Sequence, residues 1–469
     1  MILAVLVLYS LLLVVIGIVS ARRVVGSSDF YVAGRRLSTP LLFSTFLAAN
    51  IGAGSTVGVA GFGYADGLSA WWWVASAGFG SLALAFWIGP RIYRIAAKHN
   101  LYTVGDYLEL RYNRQVRLLM AVLLWLGSLA ILAGQLIALG FILNVVAGIR
   151  AEWGMVFGGV IVTLYFTAGG LLSTSWVNLV QVCVKAVGFG LALPWALSNI
   201  AGWREIQAAA AQAGAVDAES YLSPFGIGVG GILGYAIILI PSFFVSPGLL
   251  QKLYGARDEQ TIRRGVGLQG LVLLVYSAFP VLLGMIAFVR FPGLANPELA
   301  LPTLLAQGFP AWLGGLMLAA IFSAEVSSAD AVLFMLSTSV ARDFYQTTVR
   351  PQASDAALLR VTRITAVAGG LAGTALALWF GSILKALLVF YSLLVVTLFV
   401  PLVAGLYSAR PTARAAFTAM VLSAPATFAV HIATEGKGFG LLTPVAAGIL
   451  LSALIFIAFP ARRTTKASV

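Results

Sequence analysis

Apolar residues run along this chain in long blocks separated by short polar stretches. A helix that crosses a bilayer needs about 20 consecutive apolar residues, and thirteen blocks reach that scale. A leading segment covers residues 1–20. Twelve more, numbered segments 1 to 12, cover 39–64, 68–95, 116–148, 153–172, 174–196, 225–247, 263–289, 311–341, 360–380, 383–408, 411–432 and 440–460. Lipid offers the backbone no hydrogen-bond partners, so such blocks must be helices. Their signal is too continuous for alternating barrel strands. The pattern predicts an all-α integral membrane protein of about 13 transmembrane helices. The longest connection on the expected outer side, 197–224, carries the alanine-rich stretch Ile206–Ala213, which predicts a short surface helix.

Composition agrees. Hydrophobic residues make up 60 % of the 469, and charged residues only 10 %, against roughly 45–50 % and about 25 % in soluble chains. A soluble enzyme and a disordered chain are excluded. One cysteine, Cys183, and two histidines, His99 and His431, exclude a disulfide framework and a zinc or thiol-redox site. No Ser/His/Asp set or nucleotide loop lies within the spans, so no enzyme activity and no organic cofactor are expected. The 50 glycines suit close helix packing.

The net charge of +13 reads as topology and not as a nucleic-acid surface. With the N-terminus outside, the inner connections hold 23 of the 29 basic residues, from Arg22, Arg23, Arg35 and Arg36 through Lys252 to Arg462, Arg463 and Lys466. The outer ones hold only Arg150, Arg204, Arg290 and Lys437. Positive charge favours the cytoplasmic side, which predicts N-out, C-in. The leading segment has no basic residue before its apolar run, which fits an uncleaved span better than a signal peptide. The C-terminal tail is too short for a regulatory module.

Two segments are interrupted. Segment 1 reads Ala48-Ala49-Asn50-Ile51-Gly52-Ala53-Gly54-Ser55-Thr56-Val57-Gly58, and segment 6 reads Pro241-Ser242-Phe243-Phe244-Val245-Ser246-Pro247-Gly248. Small residues often mark simple helix contacts. Here the two breaks open consecutive five-segment sets, the pointer to an inverted-repeat transporter whose freed carbonyls ligate a cation.

Glu325 and Asp330, both on segment 8, are the acids that fall well inside a span. An acid at that depth costs roughly 2.5–3.5 kcal/mol and must face protein, water or an ion. With Ser323, Ser327 and Ser328 they form a stripe of hard oxygen ligands suited to a small hard cation. A plain interhelical hydrogen-bond stripe is the other reading. On segment 5, Asn178, Gln181 and Lys185 share one face. Lys185 either snorkels to the headgroups, pairs with Glu325, or takes part in charge balance.

These residues sit among further landmarks: Asp29-Phe30-Tyr31-Val32-Ala33-Gly34-Arg35-Arg36, Gly61-Phe62-Gly63-Tyr64 through Gly67, and Thr103-Val104-Gly105-Asp106-Tyr107-Leu108 with Arg111-Tyr112. Gly169-Gly170-Leu171 and Ser327-Ser328-Ala329-Asp330 followed by Ala341-Arg342-Asp343-Phe344-Tyr345 complete the set. In this order the chain resembles the sodium:solute symporter family over nearly its whole length. Its segment 8 is most similar to the choline-transporter branch. The resemblance implies a leucine-transporter-like 5+5 inverted repeat, with one leading and two trailing helices. The divisions would be 1–38, 39–196, 225–408 and 409–469, forming a single transporter domain. It also implies a sodium site made by the Ala48, Ile51 and Ala324 carbonyls with the Ser327 and Ser328 hydroxyls.

Two departures matter. The family's acid on segment 5 is Asn178 here, and an acid appears at Asp330, so Asp330 with Ser327 and Asn178 is a candidate second cation site. Glu325 and Lys185 are candidate coupling groups. Sugar carriers of the family have an acid where Val74 stands and a tyrosine gate near Ser242, so a sugar is disfavoured. The choline branch's aromatic on segment 1 is Asn50. Trp71-Trp72-Trp73 read as interface anchors. Candidate solute contacts are Asn50, Ser55, Thr56, Gln135, Phe243, Tyr391 and Ser392.

The expected function is sodium-coupled import of a small polar organic solute by alternating access. Sodium is the co-transported ion, the bilayer is the environment, and no nucleic acid or obligatory protein partner is implied. A bacterial inner membrane is the expected location. The alternatives are a proton-coupled or uncoupled carrier using Glu325, Lys185 and Asp330, and a non-transporting solute sensor.

Overall fold

The computed structural model describes residues 11, 15–16, 27–167, 171–212 and 217–459. Most of the leading segment therefore lies outside the described residues, as do Arg22, Arg23, Gly169, Gly170, Arg462, Arg463 and Lys466.

Each of the twelve numbered segments contains helix. After the short α1 (Ser27–Val32), segment 1 forms α2 (Thr39–Asn50) and α3 (Val57–Asp66). Segment 2 forms α4 (Trp71–Ala83) and α5 (Gly89–Lys98), joined by a wider turn at Leu84–Ile88. The connecting α6 (Val104–Arg111) leads to α7 (Arg114–Ala147), α8 (Ala151–Thr167) and α9 (Leu171–Asn199). The expected surface helix is present as α10 (Trp203–Gln212), followed by α11 (Ala218–Leu222). The second set comprises α12 (Gly228–Val245), α13 (Pro247–Tyr254), α14 (Glu259–Tyr276) and α15 (Ala278–Arg290). The short α16 (Ala300–Thr303) precedes α17 (Ala311–Thr338), α18 (Asp355–Phe380) and α19 (Ile383–Tyr407). Last come α20 (Ala413–Ala433) and α21 (Pro444–Ala458). Among the described residues, nine continuous helical stretches are long and apolar enough to cross a membrane.

Side chains start several of these helices. Asn113, Asp258, Ser354, Ser382 and Thr412 each accept the backbone N–H three residues on, a cap worth about 1 kcal/mol. At Asp258 the bond from the Thr261 N–H, 2.7 Å long, holds the carboxyl below the usual carboxylate range.

The centre of the molecule is α17. It is buried along nearly its whole length and packs on α2, α7, α8, α9 and α18. Its hydroxyls and carboxylates therefore meet protein and not lipid. The lipid-facing load falls elsewhere: α18 exposes Ile364, Leu371 and Trp379. The trailing α20 and α21 pack on each other and on α19.

Both expected interruptions occur. After α2, Ile51 and Gly52 turn extended and Ala53–Ser55 makes a single tight turn before α3. Gly52 is required there: a Cβ would run into the Ser328 side chain and sit 2.6 Å from the Gln135 carbonyl oxygen. In segment 6 the break differs from expectation. Pro241 lies inside α12, and the chain bends at Ser246, where Pro247 starts α13. Proline at a first helical turn loses no intrahelical bond, which favours the break there. The helix then runs on to Tyr254. Lys252, expected in an inner connection, is thereby carried into the bundle and is only 3 % exposed.

Candidate functional site

The break after α2 leaves the Ala48 and Ile51 carbonyls without helical donors, and α17 crosses them at Ser327 and Ser328. Ser327 Oγ lies 3.0 Å from both the Ala48 and the Ala324 carbonyl oxygens. Ser328 Oγ lies 3.1 Å from Ala48 O, 3.2 Å from Ile51 O and 3.4 Å from Ala49 O. A hydroxyl has one proton to donate. Three carbonyls around Ser328 therefore leave a surplus of lone pairs, the electrostatic pattern that a cation satisfies. All five residues of the expected sodium set meet at this one place.

The same cluster holds Lys185. Its ammonium donates to Ser327 Oγ at 2.8 Å and to Ile51 O at 3.3 Å, so α9 is tied to both α2 and α17. Lys185 is 2 % exposed and does not snorkel. Nor does it form a contact ion pair with Glu325. Glu325 instead accepts from Thr56 Oγ1 at 2.7 Å, and its second oxygen is buried with no hydrogen-bond partner among the described residues.

The candidate second cation set is not joined by hydrogen bonds among the described residues. Asn178 donates to Thr45 Oγ1 at 3.0 Å, while Ser327 belongs to the first cluster. Asp330 is buried, one of its oxygens has no hydrogen-bond partner among the described residues, and Lys252 is the charge within electrostatic reach of it. Lys252 donates to the Thr45 carbonyl at 3.1 Å.

Beside the cluster are two adjoining cavities that share part of their lining. Asn50, Phe243, Ser328, Val332 and Tyr391 line both. Ser55 and Gln135 line the first; Thr56 and Ser392 line neither. Part of the expected solute set is committed to the break itself: Gln135 accepts the Ala53 N–H at 2.9 Å, and Ser55 accepts the Gly52 N–H at 3.0 Å. The Asn50 amide nitrogen has no partner among the described residues. Val74 and Ser242, singled out as departures from sugar carriers, both face cavity space.

Trp73 corrects the interface-anchor reading. It is 3 % exposed, lines the first cavity and stands edge-on to Tyr235 and Tyr391. Its two neighbours, Trp71 and Trp72, instead donate to the Leu274 and Pro224 carbonyls. A 100° step per residue sends three consecutive tryptophans in different directions, a signal present in the sequence.

The landmarks around Arg35, Asp106 and Asp343 assemble past the C-terminal end of α17. Arg117 contacts Asp106 at 2.7 Å, Glu109 at 2.7 Å and Asp343 at 3.0 Å. Asp343 also accepts from Thr103 and Ser339. Arg35 donates to the Tyr254, Ala96 and Leu101 carbonyls, and Arg342 stacks over Tyr102. These motifs fasten helix ends together around one face of the bundle.

A helix broken beside a buried oxygen cluster, with a cavity against it, is the arrangement of a secondary carrier. The sequence model of the sodium:solute symporter family matches residues 30–423, and the chain belongs to that family. Among curated relatives, the chain is 28 % identical over 456 residues to the sodium/pantothenate symporter of Escherichia coli (strain K12), covering 92 % of this chain and 89 % of the relative. It is 26 % identical over 371 residues to the sodium/glucose cotransporter of Vibrio parahaemolyticus, covering 73 % of this chain and 67 % of the relative. The fold is that of a solved Na+-coupled sialic acid symporter in a substrate-bound outward-open state. The TM-score is 0.81 with 18 % identity, and 97 % of each chain is covered. The protein is an integral membrane symporter of the sodium-coupled, leucine-transporter-like class.

Proposed function

We propose that this symporter carries one small polar organic solute inward with sodium, by alternating access around the cavity beside Asn50, Trp73, Phe243 and Tyr391. The observation that carries the reading is the convergence of the Ala48, Ile51 and Ala324 carbonyls with the Ser327 and Ser328 hydroxyls, of which Ser328 also lines the cavity. Sodium there ties α2 to α17 and stabilises the state that accepts solute, which is a coupling free energy between two sites. The two repeats are taken as 39–196 and 225–408, with the N-terminus outside, in a bacterial inner membrane.

The cavity lining argues for the class of solute. Among the described residues it contains no aspartate or glutamate, which argues against a quaternary ammonium. It offers an unpaired amide at Asn50, aromatic faces at Trp73 and Phe243, and Lys252 on the wall of the second cavity. That set suits a neutral or carboxylate-bearing solute, and pantothenate and proline, named for relatives, head the panel to test. Purified protein in proteoliposomes, given an inward sodium gradient, is expected to accumulate at least one panel member above a potassium control. Equal uptake under both gradients for every solute that enters contradicts sodium coupling.

A further inference from the structure

The oxygen cluster between α2 and α17 already holds a cation that belongs to the chain. The Lys185 ammonium touches two of the five proposed sodium ligands, one on each wall: Ile51 O on α2 and Ser327 Oγ on α17. Lysine carries three donors and no acceptor, so it draws on the same surplus of lone pairs that sodium needs. Two monovalent cations within one set of oxygens repel each other in a water-poor interior. Occupation by one therefore excludes the other.

We propose that Lys185 is a tethered competitor of sodium: its ammonium bridges α2 and α17 when sodium is low, and sodium binds only as the ammonium withdraws. The inference rests on the cluster being the sodium site. The charged groups that act on Lys185 are Glu325, on α17, and Lys252, on α13. Lys252 repels it. Glu325 supplies a destination, because its Oε2 is buried without a hydrogen-bond partner among the described residues and its Oε1 is held by Thr56. The displaced ammonium thus passes from neutral oxygens to a carboxylate on the same helix and stays within the bundle. The device sets a threshold: apparent sodium affinity is the intrinsic affinity reduced by the fraction of molecules whose ligands are free of the ammonium. It also keeps the break and α17 bridged in the sodium-free protein, which prevents the unpaired carbonyls from repelling one another.

The test compares wild type with Lys185→Met, which keeps an unbranched side chain and removes the charge. Binding of radioactive sodium to the purified full chain in detergent is read at constant ionic strength against potassium, together with the melting temperature. Lys185→Met is expected to half-saturate at about tenfold lower sodium or less. It should also melt below wild type without sodium and recover when sodium is added. Lys185→Arg, which keeps a cation, should show no such gain. Ser328→Ala placed in the Lys185→Met background should erase it, which assigns the gain to this cluster. Lys185→Gln serves as a second charge-free variant, read the same way, should the methionine form fail to fold. Half-saturation that is unchanged or weaker in a folded charge-free variant overturns the proposal. Should wild-type proteoliposomes still accumulate solute on a sodium gradient in that case, the symport reading stands and only the competitor role falls. Absence of sodium-driven uptake in wild type overturns the reading beneath it.

Discussion

Thr56 donates its hydroxyl to Glu325 at 2.7 Å, joining the break after α2 to the middle of α17 across 269 residues of chain. It is the one hydrogen bond on that buried carboxylate among the described residues. Thr56→Val keeps the shape and removes the donor, leaving a buried acceptor unpaired. The expected cost is about 1–3 kcal/mol of stability, read as a lower melting temperature. Glu325→Gln keeps the size and removes the charge toward which Lys185 withdraws. It should raise the sodium concentration that half-saturates uptake, and an unchanged value would remove Glu325 from coupling.

Gly52→Ala tests the close approach at the break. The added Cβ meets the Ser328 and Gln135 side chains at once, and neither can retreat without giving up its own bonds to Ile51 and Ala53 of the α2–α3 connection. Overpacking of this kind costs about 1–3 kcal/mol. The sodium-dependent rise in melting temperature should be lost as well, because the collision displaces Ser328.

Arg117 and Asp343 form the buried core of the helix-end network. Breaking a buried pair costs about 3–5 kcal/mol when the other charge is stranded; the loss here is smaller, because Arg117 keeps Asp106 and Glu109, and it scales with the burial of the partner removed. Asp343→Asn should therefore lower the melting temperature more than Glu109→Gln, whose carboxylate is more exposed. Equal effects would show that the network is held by its solvent-facing members.

Asp330 and Lys252 are both buried, and each lies within electrostatic reach of the other. Asp330→Asn and Lys252→Met should each destabilise by about 1–3 kcal/mol. The double variant should lose less than the sum, by an interaction of about 0.5–3 kcal/mol in the double-mutant cycle. Additive losses would show that the two charges do not sense each other.

The twelve helical segments were legible because lipid demands long apolar runs, and each described segment follows its run. The residues of the proposed sodium set were named only through the resemblance, and the structure brings all five together. What failed failed locally. Lys252 was assigned to a connection because the apolar run stops at Pro247, while α13 continues with a polar face turned inward toward Thr45. Asp343 lay past the expected end of segment 8, yet the helix persists to Val349 and buries it. Trp73 was hidden among three identical neighbours that differ only in direction. The Asn178–Gln181–Lys185 face was visible, but its partner was not. Lys185 meets a backbone carbonyl freed by a break on another helix, and side-chain patterning carries no record of such a group.

The most direct test of the account is the melting temperature of purified protein in detergent, with sodium titrated against potassium and N-methylglucamine at constant ionic strength, for wild type and Ser328→Ala. A ligand bound only to the folded state adds about 2.7 kcal/mol at one hundred times its Kd. The account predicts a sodium-specific rise in wild type that Ser328→Ala loses. Equal melting temperatures in the three salts, or an undiminished rise in Ser328→Ala, would contradict the placement of sodium between α2 and α17.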